Sequence, residues 1–130
     1  MNNNNKSDVP IILLVDNEPD NTSILSMGLE DEGFRVDYFN DPVLALSSFR
    51  PNFYSLLILD INMPKMNGYE LYNEIKKLDA EVKVCFLTGS EVYVENLRRP
   101  TEEILGKCFI PKPVSIEDFV RNVRRQIEPR

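Results

Sequence analysis

Leu56-Leu57-Ile58-Leu59-Asp60 is the stretch that decides the fold. Four consecutive aliphatic residues end abruptly on a carboxylate. The run is too short for a helix and apolar on both faces, which suits a central strand of a parallel sheet covered on both sides. Ile11-Ile12-Leu13-Leu14-Val15, followed by Asp16, repeats the pattern near the amino terminus.

Working outward, helical and strand patterns alternate. After the first strand come Pro19 in a first turn and an apolar side of Ile24, Leu25, Met27 and Leu29, with Gly33 as the stop. Arg35 to Phe39 reads as a second strand, and Asp41-Pro42 as the cap and first residue of a second helix through Phe49. Beyond Asp60, a loop from Ile61 to Asn67 leads through Gly68 to a third helix, Tyr69 to Leu78. Val82 to Leu87 is a fourth strand ending at Thr88-Gly89, and Glu91 to Leu97 is a candidate fourth helix, with Pro100 interrupting the connection. Lys107 to Ile110 is a short fifth strand before Pro111-Lys112-Pro113. Ser115 with Asp118 resembles a capping box that opens a last helix, with a stripe of Ile116, Phe119, Val120, Val123 and Ile127. Such alternation implies right-handed crossovers and an α/β fold with helices on both faces of the sheet.

The composition narrows the chemistry. With 130 residues, 42% hydrophobic and 28% charged, the chain suits one globular domain. Residues 1–8 read as a disordered polar tail and 9–130 as the domain. No apolar run approaches the length of a membrane span or the core of a signal peptide, so the expected location is cytoplasmic. The absence of histidine excludes Ser-His-Asp and Cys-His catalysis on this chain. Cys85 and Cys108 sit in apolar runs and read as buried, reduced thiols. The net charge of −6 disfavours nonspecific nucleic-acid binding and permits a cation site. Arg121, Arg124, Arg125 and Arg130 read as a solvated basic helix end.

In sheets of this kind ligands bind outside the carboxyl ends of the strands. Those ends deliver Asp16-Asn17-Glu18, Asp60-Ile61-Asn62, Thr88-Gly89-Ser90 and Lys112. Asp16, Glu18, Asp20 and Asp60 form an acidic rim whose crowding is costly without a cation. Oxygen ligands without Cys or His point to Mg²⁺ or Mn²⁺. A cation, a lysine and a hydroxyl together suit a phosphoryl group in transfer, and a carboxylate can be its acceptor.

Leu13 to Asp20, Leu57 to Gly68, Leu87-Thr88-Gly89 and Pro111-Lys112-Pro113 together resemble the motifs of response-regulator receiver domains of two-component signalling, in particular stand-alone, chemotaxis-type regulators. The resemblance implies a flavodoxin-like, doubly wound (βα)5 fold with a five-stranded parallel sheet in the order 2-1-3-4-5. It implies Asp60 as phosphoacceptor from a phosphohistidine on a sensor histidine kinase or histidine phosphotransfer protein. Mg²⁺ would be held by Asp16, Asp60 and the backbone carbonyl of Asn62, with Asn17 as a further candidate. Lys112 would pair with a phosphoryl oxygen, Thr88 would hydrogen-bond it, and Thr88 with Phe109 would form the switch. The Lys112–Pro113 bond is expected to be cis. The output would be a downstream protein, with no direct nucleic acid or membrane partner, and the chain would be a monomer or a phosphorylation-dependent dimer. It would not be a conventional enzyme, its chemistry being self-phosphorylation from a donor and autodephosphorylation.

The chain departs from the family pattern at Asn17, where a second acid is usual. An amide oxygen can still ligate, but a full charge is absent, so Mg²⁺ should bind more weakly than to Asn17→Asp; equal affinities on titration would refute this. Asn17 is also the sole support for the alternative, a non-phosphorylated interaction module that keeps the fold. An aspartyl phosphatase is disfavoured because Asn62 cannot transfer a proton. The resemblance implies that Ser90 and Asn62 flank the approach of hydrolytic water, where the family tunes phosphoryl lifetime, and Pro100 departs from the family's usual Ala/Gly-rich run before the fifth strand.

Overall fold

Five strands lie parallel in the order β2-β1-β3-β4-β5. They are β1 (Ile11–Val15), β2 (Arg35–Phe39), β3 (Leu56–Asp60), β4 (Val84–Thr88) and β5 (Cys108–Pro111). The helices are α1 (Pro19–Asp31), α2 (Pro42–Ser48), α3 (Gly68–Leu78), α4 (Glu102–Leu105) and α5 (Ile116–Ile127). This computed structural model describes residues 9–89 and 102–128. The expected tail at 1–8, the candidate helix at 91–97, Ser90, Pro100 and Arg130 lie outside the described residues.

The expected topology is the one observed, and strand alternation explains its two apolar layers. Ile12, Leu14, Leu56, Ile58, Cys85, Leu87 and Ile110 face one layer with Leu25 and Leu29 of α1 and Phe119 and Val123 of α5. Leu13, Val15, Leu57, Leu59 and Phe86 face the other, with Leu71, Tyr72 and Ile75 of α3 and Ile104 of α4. All five residues of β3 are buried. Truncating one of its aliphatic side chains to Ala should cost about 2–5 kcal/mol.

Local signals set the helix ends. Asp41 caps α2 by accepting the Val43 N–H at 2.9 Å. Gly33 follows α1 with φ of 95°, a conformation glycine tolerates without steric cost. At Ser115 the hydroxyl accepts the Asp118 N–H at 3.1 Å. A reciprocal capping box forms at α3, where Asn67 and Glu70 satisfy each other's backbone N–H groups.

Three expectations need correction. The expected apolar side of α1 is wrong, because Ile24 and Met27 are 56% and 63% exposed. The buried face is Thr22, Leu25, Ser26, Gly28 and Leu29. At Gly28 a small residue is used because α5 comes close: a Cβ there would stand 2.8 Å from Ile116. The stretch treated as a Pro100-interrupted connection includes the helical residues of α4. Finally, Cys85 and Cys108 are joined in a disulfide. They are register partners on β4 and β5, a relation invisible in the apolar runs that surround each of them.

Candidate functional site

Asp16 follows β1 and Asp60 ends β3, and these neighbouring strands bring both carboxyls to one rim. Asp16 is fully buried and Asp60 only 4% exposed. Lys112, just past β5, reaches between them: its Nζ donates to Asp16 Oδ2 at 3.3 Å and to Asp60 Oδ2 at 3.4 Å. The remaining carboxyl oxygens are also engaged. Asp16 Oδ1 accepts the Glu18 N–H at 2.9 Å, and Asp60 Oδ1 accepts the Asn62 N–H at 3.3 Å. Asn21, on α1, donates its side-chain amide to Asp16 Oδ2 at 3.3 Å.

One ammonium thus faces two buried acids. Burial, and then the neighbouring Asp16 charge, push the Asp60 carboxyl up to about 7, against the opposing pull of Lys112 and the Asn62 N–H. Burial alone would lower Lys112, but the Asp60 and Asp16 charges outweigh it and raise it. The site therefore leaves excess negative charge in a low-dielectric place, and Asp60 is held part-way out of its ionised form.

Two supports went unread in the sequence. Asn40, at the end of β2, donates its amide to the Asp16 backbone carbonyl at 2.7 Å and to the Thr22 hydroxyl at 3.0 Å. Its position, a polar residue at a strand end, was the available signal. Gly68 donates its N–H to Ile61 O at 3.0 Å, and a Cβ there would sit 2.5 Å from the Asp60 carbonyl oxygen. Only glycine allows α3 to start this close to the end of β3.

Other expected site residues divide by position. Thr88 is half-exposed at the end of β4. Alternation places it in phase with Phe86, on the layer opposite that of Ile58 and Asp60. Its carbonyl accepts the Lys112 N–H at 2.6 Å, which latches the two strand ends together. Phe109 shares the Thr88 layer, with its ring 5.5 Å from that of Phe86. Gly89 and Asn17 are half-buried at the rim, and Asn62 is exposed. The Lys112–Pro113 bond is cis, as expected. The acidic rim contracts to two members. Glu18 and Asp20 are exposed at the start of α1, and among the described residues no group of three or more Asp, Glu, Cys or His side chains is placed to hold a metal. Asp16 and Asp60 are the side chains that could share one. The arginines of α5 are engaged locally: Arg121 with Asp118 at 2.6 Å and Arg124 with Glu32 at 2.7 Å.

The sequence matches the response regulator receiver domain over residues 12–124. The chain belongs to that family. Its receiver is 28% identical over 116 residues to the response regulator receiver protein CpdR of Brucella abortus, covering 89% of this chain and 95% of that protein. It is 32% identical over 111 residues to part of the sensor histidine kinase RcsC of Escherichia coli, covering 85% of this chain and 12% of RcsC. Against most of the curated relatives it matches, the chain spans half their length or less. The non-phosphorylated HemR receiver domain of Leptospira biflexa superposes with a TM-score of 0.78 at 29% identity, covering 93% of this chain and 96% of that one. A receiver of two-component response regulators is a signalling module rather than a conventional enzyme. Among the described residues, no helix is long and apolar enough to cross a membrane.

Proposed function

We propose that this receiver takes a phosphoryl group onto Asp60 from a phosphohistidine of a partner kinase or phosphotransfer protein, and signals to a further protein through the changed surface. The observation that carries this reading is the convergence of Asp16, Asp60 and Lys112 at one rim. An Asp60 oxygen attacks phosphorus, the phosphorus–nitrogen bond breaks, and the electron pair returns to the partner's imidazole. Lys112 already lies within reach of both carboxyls and meets the charge that arrives with the phosphoryl oxygens. Thr88 and the Gly89 N–H stand at the next strand end, where a hydroxyl and an amide can donate to the acyl phosphate. Thr88 shares its layer with Phe109, so a pull on its hydroxyl bears on that ring and on the surface around β5.

The donor set fits a hard divalent cation. Mg²⁺ typically takes one or two carboxylates from a protein, the rest of its shell being water and phosphate oxygen. Asp16, Asp60 and the Asn62 carbonyl would hold it, with the Asn17 amide close by; Mn²⁺ would serve in its place. When bound, the cation neutralises the excess negative charge and favours ionised Asp60, the form that attacks. An open cleft of about 400 Å³ beside Lys112, walled by Ile24, Leu25, Pro113 and Val114, gives a partner's side chain an approach. Such exchange places the protein in the cytoplasm.

Incubation with acetyl phosphate and Mg²⁺, followed by intact mass, tests the reading. One phosphoryl adduct is expected on the wild type and none on Asp60→Ala. A wild-type chain that takes no adduct would instead be the non-phosphorylated interaction module that Asn17 favours.

A further inference from the structure

Cys85 and Cys108 stand directly opposite each other on neighbouring parallel strands, with Cα atoms 4.5 Å apart, inside the range a disulfide spans. Both turn toward the layer of α1 and α5. Their surroundings differ. Cys85 is fully buried on β4, between β3 and β5. Cys108 is half-buried at the start of the edge strand. It also lines a surface recess of about 360 Å³, whose walls carry Lys83, Lys107, Glu81 and Glu103. Walls that carry charges of both signs suit the approach of a small zwitterionic thiol or disulfide to Cys108, the more exposed of the two cysteines.

We propose that Cys85 and Cys108 form a reversible thiol–disulfide couple, closed and opened through Cys108 by exchange with a small disulfide or thiol of the glutathione type. In closure, the Cys108 thiolate attacks one sulfur of the small disulfide, releases a thiolate and becomes a mixed disulfide. The Cys85 thiolate then attacks the Cys108 sulfur and releases the second small thiolate. The two cysteine protons pass to the departing thiolates. The protein pair is oxidised by two electrons and one small disulfide is reduced to two thiols. Opening is the reverse. In a reducing compartment such a bond is transient and regulatory rather than structural. Closure ties the edge strand β5, which carries Phe109, covalently to β4, which carries Thr88. The exchange chemistry is independent of Asp60, so it stands or falls separately from the phosphoryl reading.

The test equilibrates the full chain in buffers of graded reduced-to-oxidised glutathione ratio, quenches in acid, alkylates free thiols and reads the intact mass. Wild-type protein is expected to pass from doubly alkylated to unalkylated as the buffer becomes oxidising, and to return when it is reversed. Cys85→Ala should accumulate a single glutathione adduct. Cys108→Ala should accumulate at least about ten-fold less, since its remaining sulfur reacts only after local opening. Two alkylations at every ratio, or none at any ratio, would overturn the proposal, as would equal adducts on the two variants. The wild-type titration decides reversibility even if a variant fails to fold.

Discussion

The two ends of the sheet handle charge in opposite ways. Near the amino-terminal ends of β4 and β5, Lys76 meets Glu103 at 2.6 Å on exposed surface, and the hydrogen bond raises the lysine and lowers the glutamate. Each partner there favours the other's charged form. At the carboxyl ends, Lys112 is shared between two buried acids at 3.3 and 3.4 Å, and Asp60 is driven away from its charged form. The better-made ion pair belongs to the end with less to do. A fold marks its reactive rim by leaving charge there imperfectly answered, so that an added cation or phosphoryl group completes it.

The largest effect should come from removing Lys112, the one cation shown on those two acids among the described residues. At pH 8 without metal, Lys112→Met leaves Asp16 and Asp60 facing each other and should lose about 3–5 kcal/mol in urea unfolding. Lys76→Ala should hardly move the midpoint, because an exposed pair contributes little. Equal losses in the two variants would erase the contrast.

Next in size is a pH effect. The folded Asp60 pKa, about 7, lies above its unfolded value near 4. Its contribution to stability is therefore fully present below about pH 4 and is lost as pH rises through 7. Metal-free Asp60→Asn lacks this loss. It should be more stable than the wild type at pH 8 by about 2–4 kcal/mol, with the gap closing toward pH 4. Urea melts across that interval, in the presence of a chelator, would reveal a flat difference if the acid were not held out of its charged form.

A smaller effect concerns the backbone beneath the site. Gly68→Ala places a Cβ against the Asp60 carbonyl and should cost about 1–3 kcal/mol through overpacking. It should also lower acetyl phosphate labelling of Asp60. An alanine variant with unchanged stability and labelling would show that the close start of α3 is incidental.

The parts read correctly from the sequence share a local cause. β1 and β3 announce themselves because strands buried on both faces are apolar at every position, and the polar residue that ends each run marks the rim. Asp16, Asp60 and Lys112 could be placed together because topology alone brings those strand ends to one edge. What failed depended on partners distant in sequence. The buried side of α1 includes Thr22, Ser26 and Gly28, the last of which lies against Ile116 of α5, so apolar periodicity pointed at the wrong face. Asn40 acts through the Asp16 carbonyl, and nothing near Asn40 in the chain declares that partner. The Cys85–Cys108 pairing depends on the register between β4 and β5, which two separate apolar runs do not reveal.

The alternation along β3 has a consequence for which edits the chain can survive. Leu56 and Ile58 point to one layer, Leu57 and Leu59 to the other, and Asp60 keeps step with the first pair. Exchanging one aliphatic for another within the strand preserves that parity, and cores accept such swaps at modest cost. Losing or gaining one residue ahead of Asp60 inverts it, sending the acid to the layer of Phe86 and away from Asp16 and Lys112. The residue count of this strand therefore constrains the site more tightly than the identity of its aliphatic residues.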